Sequence, residues 1–123
     1  MKVLITGASG FIGFHLCRKL IQKECQVVGI DNFNSYYDPK LKEERYKKLK
    51  EISKINNLII YKIDIENFES LNNLFKDFRP DFVVNLAAQA GVRYSITNPS
   101  AYINTNLIGF SNVIECCRKH NVK

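Results

Sequence analysis

At 123 residues, 46% of them hydrophobic, the chain can close one α/β domain around a modest core, residues 1–123, but is too short to add a separate substrate domain. Its net charge of +6 does not point to a nucleic-acid binder. Half of the excess lies in residues 38–54, where seven basic residues face four acidic ones, and apolar Leu41, Tyr46, Leu49, Ile52 and Ile55 recur there near helical spacing, as on a solvated amphipathic helix. No apolar run approaches the ~18 residues of a membrane span, and Met1 leads directly into a glycine-rich turn without a signal-like segment, so a soluble cytoplasmic protein is expected.

Taken in chain order, apolar runs alternate with segments of helical period. This predicts a strand over 3–6, a helix over 11–22, a strand over 26–30, a helix around 41–52, a strand over 58–63, a helix around 71–78, a strand over 82–85 and a helix over 102–120. Such alternation implies an α/β, Rossmann-like doubly wound parallel sheet. Right-handed crossovers give the order 3-2-1-4, and the crevice falls between the first and fourth strands.

The first strand runs into Thr6-Gly7-Ala8-Ser9-Gly10-Phe11-Ile12-Gly13. A glycine-rich turn between a strand and a helix suits a dinucleotide pyrophosphate. Gly7 permits the tight turn, Gly10 a close backbone approach and Gly13 the packing of helix on strand, while the anion sits at the positive end of the helix dipole. Ser9, Phe11 and Ile12 complete the predicted loop contacts. The four cysteines, 17, 25, 116 and 117, have no metal-like spacing, so neither a zinc site nor a disulfide framework is expected. Cys17, on a face with Ile12, Gly13, Leu16 and Leu20, and Cys117, beside Val113 and Ile114, read as small core hydrophobes.

Asp31 closes the second strand 18 positions after Gly13, where a carboxylate can accept both ribose hydroxyls of adenosine, with Asn32 beside it. No arginine follows at once to take a 2′-phosphate, so NAD is favoured over NADP. Asp64 and Ile65, after the third strand, can reach an adenine edge, although Asp64 serves equally well as a turn residue. After the fourth strand, small Ala87 and Ala88, followed by Gln89, let backbone approach a cofactor or simply pack closely. Arg93 carries a planar guanidinium suited to a sugar carboxylate or phosphate.

The words TGASGFIG (6–13), DNFNSYYD (31–38), NLAAQAGVRYS (85–95) and PSAYINTNLIG (99–109) together resemble the N-terminal part of an extended short-chain dehydrogenase/reductase of the NAD-dependent epimerase/dehydratase family. Within that family they are most similar to UDP-glucuronate 4-epimerases and their capsule-biosynthesis relatives, over essentially the whole chain. The resemblance implies that hydride leaves C4 of a UDP-sugar to NAD, a 4-keto intermediate turns over, and hydride returns to the opposite face. It also implies that the glycine loop and Asp31 hold NAD, that Ala87 and Ala88 line it, and that Asn106 supports the active-site helix.

The family's Tyr-x-x-x-Lys base follows a fifth strand that lies beyond Lys123, so no catalytic residue is assigned and the chain alone is expected to be inactive. The spacings Tyr36/Lys40 and Tyr46/Lys50 read as coincidence, because the first contains Pro39 and the second lies on the charged helix. The apolar fourth strand would form an open edge, which favours a homo-oligomer or a second polypeptide supplying the catalytic half. Two other readings stand beside the epimerase: a non-catalytic NAD-binding fragment or gene remnant, and a nucleotide-sugar dehydratase or decarboxylase.

Overall fold

A computed structural model describes residues 1–53 and 57–123. Four parallel strands, β1 (Lys2–Thr6), β2 (Gln26–Asp31), β3 (Leu58–Lys62) and β4 (Phe82–Asn85), form one sheet in the order β3-β2-β1-β4. This is the predicted order. β1 pairs with β2 from Lys2 opposite Gln26 to Thr6 opposite Ile30, and with β4 from Val3 opposite Phe82 to Thr6 opposite Asn85. The strands flanking β1 therefore receive the chain from opposite directions, and the crevice opens at the carboxyl end of β1.

Because side chains alternate across a strand, the continuous apolar runs feed both faces of the sheet. On one face Val3, Ile5 and Val27 pack with Cys17 and Ile21 of α1 (Phe11–Gln22) and Leu49 of α2 (Pro39–Ile52). On the other, Leu4, Val28 and Ile30 meet Leu71, Leu74 and Phe75 of α3 (Phe68–Phe78) and Val113 and Cys116 near the end of the chain. Local chemistry sets the helix starts. Asp38 accepts from the Lys40 amide with Pro39 at the first helical position, and Asn67 accepts from the Ser70 amide, so α2 and α3 begin earlier than their apolar periodicity shows.

Several expectations need correction. Ile12 is exposed, and the buried face of α1 runs through Gly13, Cys17 and Ile21. Cys116, not Cys117, is fully buried, because it shares the inward face with Val113 while Ile114 looks outward. The helix expected as one piece over 102–120 consists of α5 (Pro99–Tyr102), a π-helical stretch (Ile103–Gly109) and α6 (Phe110–Lys119), preceded by the unforeseen α4 (Val92–Thr97). Pro99 cannot continue α4, and Asn98, whose side chain accepts from the Ala101 amide, starts the next helix. Lys54 and Ile55, at the end of the basic amphipathic stretch, lie outside the described residues. Among the described residues no helix is long and apolar enough to cross a membrane.

Candidate functional site

A cleft lined by Gly7, Asp31, Asp64 and Ala87 among others lies at the carboxyl ends of β1, β2 and β4. Its floor is the glycine loop. Gly7 has φ +66°, and a Cβ there would lie 2.8 Å from the Ala87 amide nitrogen; a Cβ on Gly13 would run into the backbone of Gly7 and Ala8. Only glycine allows both the left-handed turn and this approach of loop, helix and β4. Gly10 caps α1 without a side-chain hydrogen bond, and the first turn holds no acidic residue. The first-turn N–H groups, those of Phe11 and Ile12 among them, are thus left for an anion, while both side chains point to solvent.

Ser9 is fully buried beneath the loop. Its amide donates to Asp31 Oδ2 at 3.1 Å, and among the described residues its Oγ is the one buried side-chain polar atom without a partner. The other oxygen of Asp31, Oδ1, accepts from the Phe33 amide at 2.9 Å and from Lys42 Nζ at 2.9 Å. Asn32 Nδ2 donates to Asp64 Oδ2 at 3.0 Å, tying the ends of β2 and β3 together. Asp64 also serves its own turn, with Oδ1 accepting from the Glu66 amide. The turn reading of Asp64 therefore holds, and the residue also lines the cleft. Ile65 is buried beside it.

On the β4 side, Thr6 Oγ1 accepts from the Leu86 and Ala87 amides at 3.0 Å, which draws 86–89 across the end of β1. Ala87, Ala88 and Gln89 line the cleft. Asn106 stands behind this wall: its Oδ1 accepts from the Gln89 amide at 2.9 Å and its Nδ2 donates to the Gln89 carbonyl at 3.0 Å. The π-helical stretch that carries Asn106 also sets Gly109 against Ile65, where a Cβ would lie 2.7 Å from the Ile65 side chain.

The fold thus gathers Gly7, Gly10, Asp31, Asn32, Asp64, Ile65, Ala87, Ala88 and Gln89 around one cleft, with Ser9, Gly13 and Asn106 as its support. Arg93 is not among them. It lies exposed in α4, outside the residues that line the cleft. Sequence reading missed Asn34, Tyr36, Tyr37, Lys42 and Thr105, which do line it. Lys42 carried one usable signal: it stands seven residues before buried Leu49, on the inward side of an otherwise solvated helix.

Of the two Tyr-x-x-x-Lys spacings, Tyr36 reaches the cleft wall but Lys40 is exposed, and Lys50 lies over the Tyr46 ring, 4.9 Å from its centroid. A wider groove crosses the β3 edge between Ile59, Tyr61, Leu74 and Phe78. Neither the glycine turn nor the start of α1 lines it. Among the described residues no three His, Cys, Asp or Glu side chains converge as metal ligands.

A parallel sheet in this order, with a glycine turn at the start of α1 and an acid closing β2, defines a Rossmann-like domain of the dinucleotide-binding type. A family profile described as GDP-mannose 4,6 dehydratase matches residues 4–123. The chain belongs to that family, in the N-terminal domain shared by NAD-dependent epimerases and dehydratases. It is 51% identical over 123 residues to protein CapI of Staphylococcus aureus, covering 100% of this chain and 36% of that protein. It is 44% identical over 121 residues to UDP-glucuronate 4-epimerase 4 of Arabidopsis thaliana, covering 98% of this chain and 27% of that one.

Among solved structures, a mutant UDP-glucuronic acid 4-epimerase of Bacillus cereus, in complex with UDP-4-deoxy-4-fluoro-glucuronic acid and NAD, superposes with TM-score 0.84 at 36% identity. The match covers 96% of this chain and 36% of that one. The UDP-glucose 4-epimerase of Thermus thermophilus, in complex with NAD, gives 0.81 at 30% identity, covering 100% of this chain and 35% of that one. The chain therefore spans about a third of the length of these relatives.

Proposed function

We propose that this chain is the NAD-binding part of a UDP-sugar 4-epimerase of the UDP-glucuronate/UDP-galacturonate type. The observation that carries the reading is the Gly7–Gly13 turn meeting Asp31 in one cleft, in a chain 36% identical to a UDP-glucuronic acid 4-epimerase of the same fold. The residues fit NAD. Uncapped N–H groups at the start of α1 would hold the pyrophosphate, Asp31 the adenosine ribose, Asp64 and Ile65 the adenine, and Ala87 to Gln89 would flank the nicotinamide half. Bound there, NAD supplies a reversible hydride acceptor. The chain's own part is to hold it: Asn106 fixes the wall through Gln89, and the small side chains of 87 and 88 allow close approach. Arg93 remains the proposed contact for the sugar carboxylate or a phosphate, a role that requires the exposed α4 to face bound substrate.

A dehydratase is the second reading, favoured by the description of the matching family profile. Protein purified from its own cells, at its native mass, should convert UDP-glucuronate to UDP-galacturonate with no net NADH formed. Formation of a decarboxylated pentose would assign a decarboxylase, and dehydration of a 6-hydroxymethyl sugar nucleotide would assign a dehydratase. NAD binding with no product from any of these substrates would leave a non-catalytic module.

A further inference from the structure

We propose that Tyr36 and Tyr94 form a gate across the mouth of the cleft, which sets how fast a dinucleotide enters and leaves without setting how tightly it is held. Tyr36 is the moving part and Tyr94 the fixed post. The proposal rests on the dinucleotide reading above.

The two rings come from opposite banks. Residues 32–38 connect β2 to α2 and residues 86–91 connect β4 to α4, and β2 and β4 lie on either side of β1, about 10 Å apart at the usual strand spacing. The cleft opens between these connections, over the glycine turn. Tyr36 spans it. Its ring centroid lies 5.0 Å from that of Tyr94 in α4, and a Cβ on Gly91, whose φ is +101°, would run into its hydroxyl. Tyr36, Tyr37 and Ala90 line the cleft whereas Tyr94 does not, so the contact sits at the rim. A ligand lodged between the glycine turn and this contact is ringed by protein, and to leave on that side it must part the two rings.

The banks are held unequally. On the β4 side the Tyr102 hydroxyl is shared between the Ala90 carbonyl, at 2.8 Å, and that of Gly91, and Asn98 Nδ2 donates to Tyr94 Oη at 2.7 Å. Tyr94 thus stands on a hydrogen-bonded support. On the β2 side only the ends of the connection are fixed: the Phe33 and Asn34 amides donate to the side chains of Asp31 and Asn32, and Asp38 caps α2. Among the described residues no hydrogen bond ties Ser35, Tyr36 or Tyr37 to the opposite bank. Ring packing alone holds Tyr36 there, with Tyr37 edge-on beside it at 4.8 Å, and such a contact is weak enough to part and reform. Because Tyr94 meets Tyr36 and not the ligand, loosening the pair lowers the barrier to entry and to exit alike and leaves the binding equilibrium where it was. A residue that only shapes the wall acts otherwise, since its loss speeds release without speeding entry.

The test is stopped-flow fluorescence of NADH mixing with the full chain, followed by its displacement with excess NAD, with circular dichroism confirming that each variant is folded. Tyr94→Leu should raise the association and dissociation rate constants together by about two- to tenfold, the scale of one aromatic pair, and change their ratio by less than about twofold. Tyr94→Phe keeps the ring and loses only the hydrogen bond from Asn98, so both rates should stay as they are. Tyr36→Leu should speed association by the same factor as Tyr94→Leu, and the double variant should speed it no further, because one contact is being removed twice. Faster release with unchanged association in Tyr94→Leu, rates unaltered in both single variants, or effects on association that multiply in the double variant would overturn the proposal. A folded, unaltered chain that binds no NADH would instead remove the dinucleotide reading and this proposal with it.

Discussion

Cys17 packs against the sheet beneath α1 with no solvent contact, and burial pushes its thiol from the ordinary 9.0 up to about 12. Cys116, on the opposite face, is pushed up to about 11, chiefly for the same reason. The fold holds the neutral thiol, so as pH rises the unfolded chain loses its proton first. The stability tied to this group is complete below about pH 9 and falls as pH climbs toward 12. Urea melts of the unaltered chain and of Cys17→Ala between about pH 7 and 11 should therefore converge at the alkaline end, with the variant's profile the flatter. Parallel profiles would show that burial does not perturb Cys17. In the same native state both thiols should resist alkylation, because the reactive thiolate is scarce.

The π-helical stretch shows how one element serves the site through another. Asn106 makes two hydrogen bonds to the backbone of buried Gln89. Asn106→Ala would leave both backbone groups without their partner, at a cost of about 1–3 kcal/mol each if water cannot replace it. Hydrogen exchange at the Gln89 amide should accelerate by about tenfold or more, while amides in β1 and β2 stay protected; unchanged exchange at Gln89 would mean that the clamp does not hold the wall. This part of the fold was only half legible in the sequence. Strands β1 to β4 could be read from their short apolar runs, buried on both faces in β1 and β2 and partly exposed in β3 and β4, and the glycine loop and Asp31 because their spacing follows from the shape of a dinucleotide. The π turn could not be read, since a helical period averaged over 102–120 hides one extra residue. α4 escaped because the small and polar residues after Asn85 carry no apolar period. Lys42 was overlooked because lysines on a charged helix are usually solvated, and its spacing from Leu49 was the one sign of its inward direction.

At the scale of the whole molecule, apolar surface is left uncovered at the β4 edge and along residues 107–114. Among the described residues β4 pairs only with β1, and Phe82 at its start is 44% exposed. Further along the chain, Leu107, Phe110 and Ile114 recur at helical spacing, and all three are exposed. An open strand edge and an apolar helix face each favour pairing with another chain. Sedimentation should show association that grows with concentration, and Phe82→Lys should reduce it without shifting the thermal midpoint by more than a few degrees. A monomer at every concentration would contradict this.

Everything proposed for the site depends on one cleft, built by residues far apart in the chain, taking up NAD. The decisive measurement is a titration of isotope-labelled chain with NAD, followed by amide NMR. Saturable shifts confined to 7–13, 31–34, 64–65 and 87–89, with the β3-edge groove at Ile59 and Tyr61 unmoved, are the predicted result. Shifts centred on that groove, or none at all in a folded chain, would contradict it.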